Sequence, residues 1–129
     1  MNQKHERGAA AVELALILPI ILTLLFGIIE FGRAYNASII VTHAAREAVR
    51  KVALGASDVD AEDAGKQAGF SLPGGVSVSA IAPSDSCPAN LLDQKAKTTV
   101  TYGFTFDIPF VPGLKLVTIS KTATMLCGG

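Results

Sequence analysis

The chain has 129 residues, of which half are apolar and only 6% aromatic, and its formal net charge is zero. This length accommodates one small domain together with a membrane anchor. A nucleic-acid-binding protein would present a basic face with aromatic side chains, which a balanced charge and few aromatic residues do not supply. We therefore expect no nucleic acid among the partners of this protein.

A short polar segment precedes a long apolar run. Residues 1–8 include Lys4 and Arg7, and residues 14–29 contain no charged side chain. Together with residues 9–12, the run reaches about 20 residues, the length at which a helix crosses a bilayer core of roughly 30 Å. Short positive flanks remain on the cytoplasmic side. The sequence therefore predicts a single-pass membrane protein with a cytoplasmic amino terminus and the remainder outside.

Glu13 is a charged side chain near the start of this run. A charge inside a membrane helix costs about 2.5–3.5 kcal/mol by insertion scales and usually has a function. The alternative is that its carboxylate reaches back to the cytoplasmic interface, since Glu13 lies only about 6 Å along the helix axis from Ala9.

A secretory signal peptide is a rival interpretation of the apolar run, but residues 31–35 provide no Ala-x-Ala cleavage site after the run.

Three segments together resemble the TadE family of minor pseudopilins, which belong to the tight-adherence (Flp, type IVc) pilus system. They are Arg-Gly-Ala-Ala-Ala-Val-Glu-Leu-Ala-Leu-Ile-Leu-Pro at 7–19, Ile-Glu-Phe-Gly-Arg at 29–33 and Ala-Ala-Arg-Glu-Ala-Val-Arg at 44–50. The resemblance is close from residue 7 to about residue 54. Major Flp pilins usually carry Tyr after the Glu, and Leu14 in that place argues against the major subunit.

The resemblance implies that a prepilin peptidase removes residues 1–8 by cutting between Gly8 and Ala9, which makes Glu13 the fifth residue. It also implies that Glu13 of one subunit pairs with the new α-amine of Ala9 on a neighbour. The implied partners are the peptidase, other pilin subunits and minor pseudopilins, the inner-membrane pilus assembly platform and membrane lipid. The alternative is an uncleaved, membrane-anchored periplasmic module that binds a partner or acts as a scaffold.

The helix is expected to continue past the membrane, over residues 9–54 in all. Glu30 and Arg33 mark the outer interface, and Phe31 and Tyr35 suit an interfacial aromatic belt. Gly55 is the expected stop. An apolar stripe at helical spacing faces the domain, formed by Val41, Ala45, Ala48, Val49 and Val52. This gives a leader at 1–8, a transmembrane helix at 9–33 and a periplasmic domain at 34–129.

The rest of the chain predicts a second helix and three strands. Ser57 is the expected cap of the helix, and Pro73-Gly74-Gly75 ends it. The pattern then alternates with period two at 76–80, at 97–106 and at 114–127, where Lys121 is a misfit on the apolar face. The predicted fold class is α+β, with an antiparallel sheet of about three strands packed on the long helix.

Two cysteines, Cys87 and Cys127, are expected to form a disulfide rather than two buried thiols. Closing such a loop stabilises a fold by about 4 kcal/mol in the chain-entropy model. The chain has no catalytic or metal-binding motif: His5 lies in the leader and His43 on the polar helix face. We therefore expect that the protein is not an enzyme and binds no cofactor or metal. The alternative of a small secreted enzyme is disfavoured because the sequence contains no set of catalytic residues.

Overall fold

The computed structural model of the protein describes residues 3–79, 87, 95–107 and 116–127. It is an α+β structure with a long amino-terminal helix, a short second helix and a three-stranded antiparallel sheet, as the sequence predicts. The elements are α1 (Gln3–Ala53), α2 (Asp58–Ala68), β1 (Ser77–Ser79), β2 (Lys95–Phe104) and β3 (Val117–Leu126). Ala80 and the prolines of the predicted turn at 109–113 lie outside the described residues.

Helix α1 is a single helix of 51 residues that starts earlier than predicted, at Gln3 instead of residue 9. It runs through Pro19, and the hydroxyl of Thr23 donates to the Pro19 carbonyl oxygen at 2.8 Å. Its end is a Schellman motif. Gly55 has a φ of +77°, and the N–H groups of Gly55 and Ala56 donate to carbonyls of the last turn at 2.9 and 3.0 Å. The predicted stop at Gly55 is confirmed.

Helix α2 begins where the sequence predicts and packs closely on its neighbours. The Ser57 hydroxyl accepts a hydrogen bond from the Asp60 N–H at 3.2 Å, which caps the helix. The helix ends at Ala68, earlier than the predicted Pro73. A Cβ placed on Gly65 would lie 2.8 Å from Val78 of β1 and 3.2 Å from Ala48 of α1. Glycine therefore lets α2 approach both elements.

The sheet has the order β1-β2-β3, and both pairings are antiparallel. In the register, Val100 lies opposite Val78 on one side and Lys121 on the other. Alternate residues of β2 are buried, as period two requires: Ala96, Thr98, Val100, Tyr102 and Phe104. The period-two pattern predicted for the central strand is therefore confirmed, although β2 covers Lys95–Phe104 instead of residues 97–106.

The core lies between the sheet, α2 and the second half of α1. All five residues of the predicted stripe on α1 are buried, with exposed fractions of 2% or less. A first cluster joins α1 to β1 and the middle of β2, and a second cluster joins the end of α1 to α2 and to the start of β2. The Cys87–Cys127 disulfide, with Cα atoms 5.5 Å apart, adjoins the second cluster, so the predicted disulfide is confirmed.

Gly69, immediately after α2, offers a test of this close packing. A Cβ there would lie 2.5 and 2.6 Å from the two γ carbons of Val76, which is too close for non-bonded carbon atoms. Gly69→Ala must therefore displace Val76, the residue just before β1. We expect overpacking to lower the free energy of unfolding by about 1–3 kcal/mol. Urea denaturation of the full chain in detergent measures the change.

Gly32→Ala is the matched control, because nothing lies within 4 Å of a Cβ at Gly32 in α1. The same substitution there should leave stability unchanged or raise it by up to about 1 kcal/mol through helix propensity. Equal effects of the two variants would contradict the packing described for Gly69.

Candidate functional site: the exposed helix and its junction with the domain

The first part of α1 projects from the domain as a bare apolar surface. Every residue from Gly8 to Ile21 is exposed. The exposed fractions of the large residues Leu16 and Ile28 are 70% and 71%. This is the one candidate membrane span among the described residues, with a mean hydropathy of 2.7. A patch of this size is unfavourable in water and therefore indicates that lipid or another protein covers it.

The predicted processing residues lie on this exposed stretch. Gly8, Ala9 and Glu13 are exposed within the continuous helix, and Ala9 and Glu13 are separated by about one turn. The ion pairs found among the described residues do not involve Glu13. Among the described residues, no ion pair or tertiary contact involving these three residues is found.

Gly8 has no packing role within the described chain. Nothing lies within 4 Å of a Cβ built on it, and its φ is not positive. Glycine inside a helix costs about 1 kcal/mol relative to alanine. No close contact among the described residues explains why glycine is present at this position. The same holds for Gly27 and Gly32 farther along α1.

Glu30 is the first fully buried residue of α1 among the described residues, with only 5% of its surface exposed. One carboxylate oxygen accepts a hydrogen bond from Arg33, one turn along the helix. The other accepts from the backbone N–H of Asp107, just after β2, at 3.3 Å. A buried charge is tolerable only when it is paired and hydrogen-bonded, and both oxygens of Glu30 meet this condition.

Aromatic side chains complete this junction. The guanidinium of Arg33 lies 5.7 Å from the centre of the Phe104 ring, within the range of a cation–π interaction. The rings of Phe104 and Phe106 pack edge to face, with centroids 4.9 Å apart. The end of the apolar run is thus tied to the end of β2 by the hydrogen bond from the Asp107 N–H to Glu30 and by the contact of Arg33 with the Phe104 ring.

The sequence places Glu30 beside Arg33 at the end of the apolar run, but its charge alone does not indicate that it is buried against the domain. The signal for burial is its helical position, because Glu30 lies seven residues before Ala37, on the buried side of the helix with Val41, Ala44 and Ala48. At 3.6 residues per turn these positions share one face.

The described residues hold no group of three or more His, Cys, Asp or Glu side chains that could bind a metal ion. His43 is exposed on α1, as the sequence predicts, and lies in a shallow surface groove with Tyr35 and Arg46.

Glu30→Gln tests the junction. The amide has one oxygen in place of two, so it cannot accept from both Arg33 and Asp107 as the carboxylate does. Hydrogen bonds to charged groups contribute about 1.5–3 kcal/mol, and we expect a loss of this size in unfolding free energy. Hydrogen–deuterium exchange at the Asp107 N–H should become faster in the same variant.

Glu62→Gln is the control, because Glu62 pairs with Lys66 at 3.1 Å on the outer side of α2. An exposed pair at this helical spacing contributes about 0.3–0.5 kcal/mol. A Glu30→Gln effect no larger than that of Glu62→Gln would contradict the role of Glu30.

Comparison with known proteins gives one match. No curated protein and no solved structure matches the chain. The match is to a family model and covers residues 8–50. This segment contains Gly8, Glu13, Glu30 and Arg33, together with most of the buried stripe of α1. The family model TadE, described as TadE-like protein, matches residues 8–50, which confirms the resemblance seen in the sequence over that segment.

Proposed function

We propose that the chain is a TadE-like minor pilin or pseudopilin of a tight-adherence (Flp, type IVc) pilus system, with a structural role in adhesion or secretion. The observation that carries this proposal is the bare apolar segment of α1. It starts with Gly8 and Ala9, has Glu13 one turn later and lies inside the segment that matches the TadE-like family. A subunit of this kind has no turnover of its own.

The first step of the proposed function is processing after Gly8 by a prepilin peptidase. The bond between Gly8 and Ala9 lies on an exposed stretch, and the open space around Gly8 leaves room for an enzyme to bind. Glu30, the first residue of the junction, is 22 positions later, about 33 Å along the helix. The cut therefore occurs on the cytoplasmic face while the domain lies on the other side.

The mature protein then waits in the bacterial inner membrane, with residues 9–29 in lipid and the domain in the periplasm. A helix of that length measures about 32 Å, which suits a hydrocarbon core of roughly 30 Å. The junction at Glu30 supports this arrangement, because it begins where the apolar run ends. From there the protein joins other pilin subunits and minor pseudopilins at the assembly platform, through packing between helices.

Glu13 contributes the proposed subunit contact. Cleavage creates a positively charged α-amine on Ala9, at nearly the same depth as the Glu13 carboxylate of a neighbouring subunit. In a medium of low dielectric constant such a pair attracts far more strongly than in water. The absence of an ion-pair partner for Glu13 among the described residues supports a partner outside the chain.

Glu13→Ala tests this mechanism in the organism that makes the protein, in a strain lacking the chromosomal copy. Removing one partner of a buried pair costs about 3–5 kcal/mol, so assembled pili should fall by more than tenfold. Membrane insertion should be unchanged, because alanine suits a membrane helix. Electron microscopy counts the pili, and carbonate extraction reports insertion.

Glu47→Ala is the control for this experiment, because it removes a carboxylate from the same helix within the domain. It should leave both pili and insertion at the wild-type level. Normal pili in the Glu13→Ala strain would contradict the charge-pairing mechanism.

A further inference from the structure

A groove runs between α1 and β3 at the level where α1 leaves the apolar run. It has a volume of about 410 Å³ and is lined on the helix side by Phe31, Tyr35 and Ser38. These residues are spaced i, i+4 and i+7, so they share one face of α1. Residues 118–121 line the other side. The processing and pairing residues lie elsewhere on the helix.

The groove follows the open edge of the sheet. In the described sheet β3 pairs with β2 on one side only, and the edge formed by residues 118–121 of β3 lines the groove. An edge strand presents unpaired backbone N–H and C=O groups. The hydroxyl of Ser38 adds a side-chain donor on the opposite wall.

Lys121 gives this groove its charge. Its side chain is half-buried on the face of β3 that is turned toward α1, where the other residues are apolar. No acidic side chain is among the described residues that line the groove, and no described carboxylate pairs with Lys121. Burying a cation in part without an anion costs free energy, so an anionic ligand in this groove is favoured.

The position of the groove indicates which anion is available. Phe31 and Tyr35 lie about 3 and 9 Å beyond Ile29 along the helix axis. The headgroup layer on each side of a bilayer is about 5–7 Å thick, so Phe31 lies within that layer and Tyr35 just beyond its outer edge. Exposed aromatic side chains such as Phe31 and Tyr35, which keep 73% and 65% of their surface, are typical of this depth.

We propose that this groove binds the headgroup of an anionic phospholipid, with its phosphate held by Lys121 and flanked by Phe31 and Tyr35. The proposal rests on the membrane insertion in the proposed function and is independent of processing at Gly8 and of pairing by Glu13. A bound headgroup would fix the rotation of the domain relative to the membrane surface.

Native mass spectrometry of the full chain in detergent, titrated with phosphatidylglycerol or phosphatidylcholine, measures this binding. Phosphatidylglycerol should bind the wild type more tightly than phosphatidylcholine. Lys121→Gln should weaken phosphatidylglycerol binding about fivefold, the factor expected for one basic residue at a membrane surface. Lys121→Arg should retain the binding.

Lys97→Gln is the matched control, since Lys97 is exposed on β2 between buried Ala96 and Thr98 and therefore lies on the opposite face of the sheet. It removes the same charge and should leave binding unchanged. Equal binding by Lys121→Gln and wild type, an equal loss in Lys97→Gln, or no preference for phosphatidylglycerol would each overturn the proposal.

A depth measurement separates a lipid headgroup from a second copy of the chain in the groove. The chain contains no Trp, so Tyr35→Trp provides a single tryptophan whose emission can be excited selectively. In vesicles containing phosphatidylglycerol, a quencher on the lipid headgroup should reduce its emission more than a quencher at the acyl-chain end. If headgroup quenchers do not reduce the emission and the emission changes with protein concentration, a neighbouring subunit fills the groove. That result would overturn the proposal.

Discussion

The buried carboxylate of Glu30 is the constraint on which the arrangement of helix and domain depends. It lies one residue after the last of the apolar run, and it binds Arg33 on its own helix and the Asp107 N–H at the end of β2. A carboxylate buried without these partners would be strongly unfavourable. The junction thus holds α1 against the end of β2 at the point where the exposed apolar segment ends.

Small side chains allow the rest of the packing to follow from this orientation. The buried face of α1 is rich in alanine, with Ala37, Ala44, Ala45 and Ala48 each no more than 2% exposed. Short side chains let the sheet and α2 approach the helix backbone closely, as Gly65 of α2 does from the other side. One continuous helix therefore serves both as the spine of the domain and as the free apolar segment.

Much of this architecture could be predicted because it is local or periodic. The stripe on α1, the Schellman end at Gly55, the Ser57 cap and the alternation in β2 all follow from spacing and residue type. The burial of Glu30 could not be inferred from its charge, since its partner Asp107 is 77 residues away in sequence. Such a partner becomes visible only when the sheet and the helix are placed together.

The sheet's outer strand shows a second limit of sequence reasoning. The pattern predicts one inward face, formed by Val117, Ile119, Ala123, Met125 and Cys127. Cys127 is buried, Ile119 and Ala123 are half-buried, and Val117 and Met125 are exposed. A helix about 10–12 Å wide covers little more than two strands spaced about 4.8 Å apart. One helix thus leaves the edge of a three-stranded sheet partly open, and Lys121 lies in that opening.

In the proposed function, cleavage after Gly8 gives the exposed apolar helix a new amino terminus. The mass of the mature protein tests this cleavage most directly. The chain would be co-expressed with its cognate prepilin peptidase, purified from membranes and measured by intact mass spectrometry. The account predicts a protein that starts at Ala9. A start at Met1 with an active peptidase would contradict it and favour an uncleaved anchored module, and a start beyond Gly32 would indicate a cleaved signal peptide.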